Sequence, residues 1–198
     1  TSGTSGTSGT SGTSGVNGVS GGAIYYFNES ITSGPYKEFS IVPTDTGEQT
    51  ITSPSIASGG TDTIQSFLTD TGFPGVTAIP AGIWQFFLHS YKSSVSVSFD
   101  IFCEVYKRTS GGTETFLFAS DPTPILSDSP TFIMEISDAY QTGYTITVSD
   151  QILVKVRATN TGSVTGTVTL ATEGSIHYSY AQTTLGIVNG TSGSSGSS

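Results

Sequence analysis

Positive charge is what this chain has least of. Of 198 residues only 6 are Lys or Arg, against 15 Asp or Glu, for a formal net charge of −9. Phosphate backbones are held by clustered Lys and Arg, so no nucleic-acid partner is expected. The single cysteine, Cys103, excludes an internal disulfide framework. With two histidines, His89 and His177, it also falls short of a zinc-ligand cluster. No apolar run approaches the ~18 residues of a membrane-spanning helix. No signal-peptide pattern and no initiator Met open the chain, so it reads as a fragment or mature segment of something longer. Proline is confined to the middle, from Pro35 to Pro130.

Serine, threonine and glycine fill the space. There are 32 Ser, 32 Thr and 25 Gly, and they are not spread evenly. Residues 1–21 carry glycine at every third position: Gly3, Gly6, Gly9, Gly12, Gly15, Gly18 and Gly21. The period resumes in 186–198 as Gly190, Gly193 and Gly196. No charged residue precedes Glu29 or follows Glu173, so the flanks and the middle are physically different objects. Strict three-residue phase is what a collagen-type triple helix demands, because only glycine fits at the axis of three polyproline-II-like strands. Two other readings stay beside it, a glycan-coated polyproline-II strand and a plain flexible linker. Without proline the tract needs another source of order. Inter-chain hydrogen bonds, a longer repeat or O-linked sugar on Thr1, Thr4, Thr7, Thr10 and Thr13 would each supply it. Asn28-Glu29-Ser30 and Asn189-Gly190-Thr191 match the N-glycosylation pattern, which makes Asn28 and Asn189 candidates.

Residues 22–185 alternate apolar and polar with turn residues between. In 94–105, Val95, Val97, Phe99, Ile101, Cys103 and Val105 share one face, with Phe102 the exception on the other. Period two over this length predicts a half-buried strand. Similar patterns predict strands at 23–28, 37–42, 63–69, 83–91, 115–119, 132–137, 144–149, 152–158, 164–170 and 175–182. Ser58-Gly59-Gly60, Pro80-Ala81-Gly82 and Ser110-Gly111-Gly112 are among the turns that separate them. Many short strands at this spacing predict an all-β domain, a sandwich or barrel.

Little in the middle points to chemistry. His89 and His177 read as ordinary strand residues, since neither lies in a nucleophile elbow or near a carboxylate motif. Cys103 sits on an apolar face and reads as a buried, inert thiol. Trp84, between Ile83 and Gln85, reads as core or subunit interface rather than a sugar platform. Asp45, Asp62, Asp70, Asp121, Asp128 and Asp150 fall in predicted loops but match no calcium-ligand spacing. The acidic residues are scattered singly, without the paired carboxylates of a glycosidase. No catalytic residue, metal or cofactor is expected, and the chain reads as no enzyme.

A glycine-third tract running into an all-β unit is itself a pattern. With Ala23-Ile24-Tyr25-Tyr26-Phe27-Asn28, Ile79-Pro80-Ala81-Gly82-Ile83-Trp84-Gln85-Phe86 and Asp150-Gln151-Ile152-Leu153-Val154-Lys155-Val156, the sequence resembles collagen-like fibre proteins of phage, viral or spore-surface type. These carry trimeric jelly-roll modules of the tumour-necrosis-factor/complement kind. The resemblance implies a jelly-roll-type β-sandwich flanked by collagen-like Gly-X-Y segments, a homotrimer, and an extracellular place on a virion appendage or cell-surface fibre. It implies a structural module of such a fibre, a β-bead joined by rods. The alternative is a receptor- or glycan-binding head of a phage tail fibre or similar surface fibre. Triplets on both sides of the domain favour the bead.

Overall fold

The computed structural model describes residues 22–186. These fold as β1 (Ala23–Ser33), β2 (Tyr36–Ser40), β3 (Thr50–Thr52), β4 (Thr61–Leu68), β5 (Ala78–Ile79), β6 (Gly82–Lys92), β7 (Phe99–Arg108), β8 (Glu114–Ala119), β9 (Thr123–Pro124), β10 (Ile133–Gln141), β11 (Tyr144–Thr145), β12 (Gln151–Asn160), β13 (Val168–Ala171) and β14 (Tyr180–Thr183). No helix occurs among the described residues. The all-β expectation holds, and the arrangement is a β-sandwich. One long sheet runs β3-β13-β6-β14-β1-β2-β4-β12-β7-β8, with β10 on β6 and β9 on β7, while β5 and β11 pair separately. Neighbours are antiparallel except β2 and β4, which run parallel.

Alternation explains the core. Trp84, Phe86 and Leu88 of β6 point inward, as do Phe99, Ile101, Cys103 and Val105 of β7 and Val154, Val156 and Ala158 of β12, all at most 1% exposed. The sheet curls so that its two halves meet across this core. Trp84 of β6 meets Phe118 of β8 edge-on at 5.2 Å, and Phe27 of β1 meets Phe67 of β4 at 4.8 Å. Fully burying such side chains is the main source of stability, at roughly 1.5–3 kcal/mol each.

The two outer surfaces differ in kind. Over β12, β7 and β8 the surface is a lattice of charge: Arg157 pairs with Glu104 at 2.6 Å and Lys155 with Glu114 at 2.7 Å. Phe102, the break in the alternation, lies here, paired in register with Arg157, whose guanidinium stands 5.9 Å from the ring. Lys107, Arg108, Lys155 and Arg157 all belong to β7 and β12. The opposite surface, over β10, β6, β14 and β1, carries aromatic and aliphatic side chains crossed by one polar row of Asp138, Gln85 and Gln182.

Several strands end differently from the sequence pattern. The strand read at 94–105 begins only at Phe99. Val95 is 81% exposed, and a turn closed by Val97 N–H on the Ser94 carbonyl replaces the first residues. Of 144–149 only β11 is a strand. Asp150 Oδ2 accepts the Thr147 N–H at 2.8 Å and folds the rest into a turn. Residues 173–177 form a run of bends, and strand pairing begins only at Tyr180. The short β3, β5 and β9 were not legible.

The ends of the domain lie side by side. Ala23 of β1 pairs with Thr183 of β14, so the chain enters and leaves at the same edge. Gly22 turns there at φ +79°, and a Cβ on it would sit 2.3 Å from the Thr183 carbonyl oxygen. Only glycine fits this approach.

Candidate functional site

The candidate site is a polar cleft that the sequence did not show. His89 lies on the outward face of β6, and the bend after β13 carries His177 back onto it, with ring centroids 5.5 Å apart. Glu48, from the loop between β2 and β3, accepts a hydrogen bond from His177 Nδ1 at 2.7 Å. The two histidines, read separately as ordinary strand residues without a carboxylate, therefore share one cluster with a glutamate 129 positions from His177. That reading is corrected by loop geometry, which no local motif records.

Phe132 packs against His177 at 5.0 Å and Tyr91 against Phe132 at 4.7 Å, which gives the cluster an aromatic wall. His89 Nδ1 donates to the Tyr178 carbonyl at 3.1 Å, leaving Nε2 as the lone-pair nitrogen of the neutral ring. Burial holds the His89 pKa below its ordinary value, and the neighbouring His177 adds to that shift.

Beside this pair the 44–48 loop and residues 174–176 line a cleft of about 370 Å³. The two loops touch at Gly174, whose φ is +99° and whose Cβ would lie 2.9 Å from the Glu48 backbone. Gly174→Ala should therefore part the loops and cost about 1–3 kcal/mol of stability, read by urea unfolding. An unchanged midpoint would show that the loops yield freely.

Below the cleft runs a buried polar chain. Glu173 is fully buried and its Oε1 accepts the Ser30 N–H at 2.9 Å and the Ser30 hydroxyl at 2.8 Å, while Oε2 has no partner. Asn28 is also fully buried. Its Nδ2 donates to Glu38 at 2.6 Å and to the Val42 carbonyl at 3.0 Å, and its Oδ1 accepts from Tyr178 Oη at 2.7 Å. Asn28 is thus no acceptor for sugar in the folded domain, and that expectation is corrected. The sequence pattern is blind to burial.

The remaining candidates divide cleanly. Trp84 is core, its Nε1 donating to Thr184 Oγ1 at 2.9 Å. Cys103 is buried, and desolvation pushes its thiol pKa well up, so the thiol stays protonated. Asp45 and Asp70 line a second cleft with Glu38, Asp128 pairs with Lys92 at 3.4 Å, and Asp150 caps its own turn. No group of three metal-ligating side chains occurs among the described residues. The triplet glycines Gly3, Gly6, Gly9, Gly12, Gly15, Gly18, Gly21, Gly190, Gly193 and Gly196 lie outside the described residues. So do Thr1, Thr4, Thr7, Thr10, Thr13 and Asn189.

The His89 environment sets a pH dependence. Its folded pKa lies below the ordinary histidine value of about 6.5, so the unfolded chain takes up a proton first as pH falls. This group's contribution to stability is complete above that value and is lost as pH falls through the folded pKa. Burial raises Glu29 and Glu135 and works in the opposite direction, over the carboxylate range. The expected result is that His89→Gln flattens the loss of stability between neutral pH and the carboxylate range. Identical pH profiles for the two proteins would contradict it.

Comparison with known proteins places the fold. No family model matches the chain, and no curated protein matches it. Among solved structures, a CocE/NonD family hydrolase from Staphylococcus aureus superposes with a TM-score of 0.59 at 12% identity, over 82% of this chain and 36% of the hydrolase. A second crystal structure of a CocE/NonD family hydrolase from the same organism gives 0.57 at 11%, over 85% and 36%. A mitogen from Yersinia pseudotuberculosis reaches a TM-score of only 0.30, too slight an overlap to carry an argument. The chain thus spans about a third of the hydrolase it resembles, and at this identity the likeness shows the fold alone.

These structures correct the functional expectation. A structural bead of an extracellular fibre, a receptor- or glycan-binding head as its alternative, and the reading as no enzyme are overturned by a fold whose solved counterpart belongs to hydrolases. Alternation and turn residues establish a β-sandwich but not what it serves. The paired ends of β1 and β14 tell against the bead as well, because a unit threaded between two rods is best served by ends on opposite sides.

Proposed function

We propose that residues 22–186 are the accessory β-sandwich of a hydrolase-type protein, a module that provides binding surface beside the body that carries the reacting groups. One observation carries this: the domain matches most of itself but only 36% of a hydrolase. The cleft agrees with it. The Glu48–His177 pair orients an imidazole in the way hydrolytic sites do, yet among the described residues no serine hydroxyl or cysteine thiol is hydrogen-bonded to that ring. A module of this kind supplies contacts to substrate at the cleft, and the glycine-third tracts serve as its tethers.

Hydrolysis of a panel of neutral nitrophenyl esters and amides tests the reading. It is measured on the protein isolated at its natural length and on the 198-residue chain alone. Turnover is expected in the natural-length protein, with His177→Gln there changing KM more than kcat. Absence of turnover at natural length would overturn the proposal. So would full activity in the 198-residue chain, which would put the reacting groups inside it.

A further inference from the structure

The chain holds two histidines and one methionine, and the fold brings all three together near the end of β6. Met134 of β10 stands directly opposite His89 in register, on the same outer face. Side chains so paired have Cβ atoms about 4.5–5.5 Å apart, well within the reach of a flexible thioether. Met134 is 41% exposed, so the core does not claim its sulfur. His177 folds back beside His89 with ring centroids 5.5 Å apart. Both rings are already oriented as ligands are. His89 Nδ1 donates to the Tyr178 carbonyl at 3.1 Å, and His177 Nδ1 to the Glu48 carboxylate at 2.7 Å. With Nδ1 engaged, each neutral ring keeps its lone pair on Nε2. Metal-binding imidazoles are held in this way, the other nitrogen donating to a carbonyl or carboxylate. The spacing fits as well. Two imidazoles bound to one ion at about 2.0 Å, roughly 110–120° apart, have centroids about 5–5.5 Å from each other.

We propose that Nε2 of His89, Nε2 of His177 and Sδ of Met134 hold one copper ion as Cu(I). The donor set selects the metal. A thioether beside imidazoles favours soft, monovalent copper, whereas hard cations draw on carboxylates and carbonyls. Among the described residues no three His, Cys, Asp or Glu side chains are placed to share one ion, and the third donor here is a thioether. Glu48 serves from behind, fixing the His177 ring through Nδ1. Phe132 stands 5.0 Å from His177 and walls the site on one side. An apolar wall limits water at the metal, which suits an ion of low charge. Cys103, the one thiol, is sealed in the core at 0% exposure and does not compete. Copper uptake is measured without substrate, so its failure leaves the hydrolase reading untouched.

Anaerobic titration of the 198-residue chain with Cu(I), against bicinchoninate as competing chelator, tests it. One Cu(I) per chain is expected, with two nitrogen neighbours and one sulfur in the copper X-ray absorption spectrum. Met134→Leu keeps the size and loses the sulfur. It should weaken Cu(I) binding at least ~10-fold and leave any weaker Zn(II) binding unchanged. Glu48→Ala should weaken Cu(I) by ~10–100-fold through the ring that it holds. His89→Gln and His177→Gln should each take up no copper under the same competition, and Cys103→Ala should bind as wild type. Met134→Leu, at an exposed position, keeps the test open if a histidine variant loses its far-ultraviolet dichroism. No Cu(I) uptake by the folded wild type would overturn the proposal. So would Met134→Leu binding as tightly as wild type, Zn(II) held more tightly than Cu(I), or loss of copper in folded Cys103→Ala.

Discussion

Replacing Trp84 with alanine should lower the unfolding free energy by about 3–5 kcal/mol, a large part of the 5–15 kcal/mol typical of a domain. The indole is wholly buried, stands edge-on to Phe118 at 5.2 Å, and is tied to Thr184 Oγ1. That oxygen also accepts from Gln141 Nε2 at 3.0 Å and donates to the Pro80 carbonyl at 2.7 Å. Truncation therefore opens a cavity between the two halves of the sandwich and unsettles the polar knot that holds the segment after β14. Trp84→Phe keeps most of the packing and loses the indole bond, so its cost should be roughly half or less. Urea unfolding of both variants checks this. A loss below about 1 kcal/mol for Trp84→Ala would mean that the halves do not meet at this residue.

The second large effect is at Asn28. Asn28→Ala leaves the Glu38 carboxylate, the Tyr178 hydroxyl and the Val42 carbonyl each short of a partner, at an expected cost of about 2–4 kcal/mol. Asn28→Asp preserves shape and tests the cause. It sets a second carboxylate where an amide now donates to Glu38 at 2.6 Å, so it should cost at least as much despite its equal size. If Asn28→Asp unfolds at the wild-type urea midpoint, the amide is not acting as the donor described. Mass analysis of the same residue should find no glycan on folded protein.

How much of this was legible in the sequence depends on distance along the chain. Period-two alternation put Val97, Phe99, Ile101, Cys103 and Val105 on one face of β7 and read the alternation of β12 in the same way, because side-chain direction in a strand is a local property. Phe102 broke the pattern for a reason that lies across the sheet, in Arg157. The polar cluster was not legible at all. His89, His177 and Glu48 come from a strand and two loops, and the loops meet only because Gly174 lets one backbone pass close to the other. Asn28 carried a modification pattern at the surface of the sequence and turned out to be a buried structural amide. Function was furthest from reach. The same alternation serves a fibre bead and a hydrolase module alike, and the glycine-third flanks directed the reading to the former.

The accessory-module account requires a body outside residues 22–186, and hydroxyl-radical footprinting of the natural-length protein asks most directly whether such a body covers the outer face of β6 and β10. Met134 and Tyr140 report on that face, and Phe116, 52% exposed on the charged side, serves as the open reference. The prediction is slow labelling of Met134 and Tyr140 relative to Phe116, although Tyr140 is the more exposed of the two rings in a single chain. Labelling of Tyr140 at the rate its 76% exposure gives a free chain would contradict it.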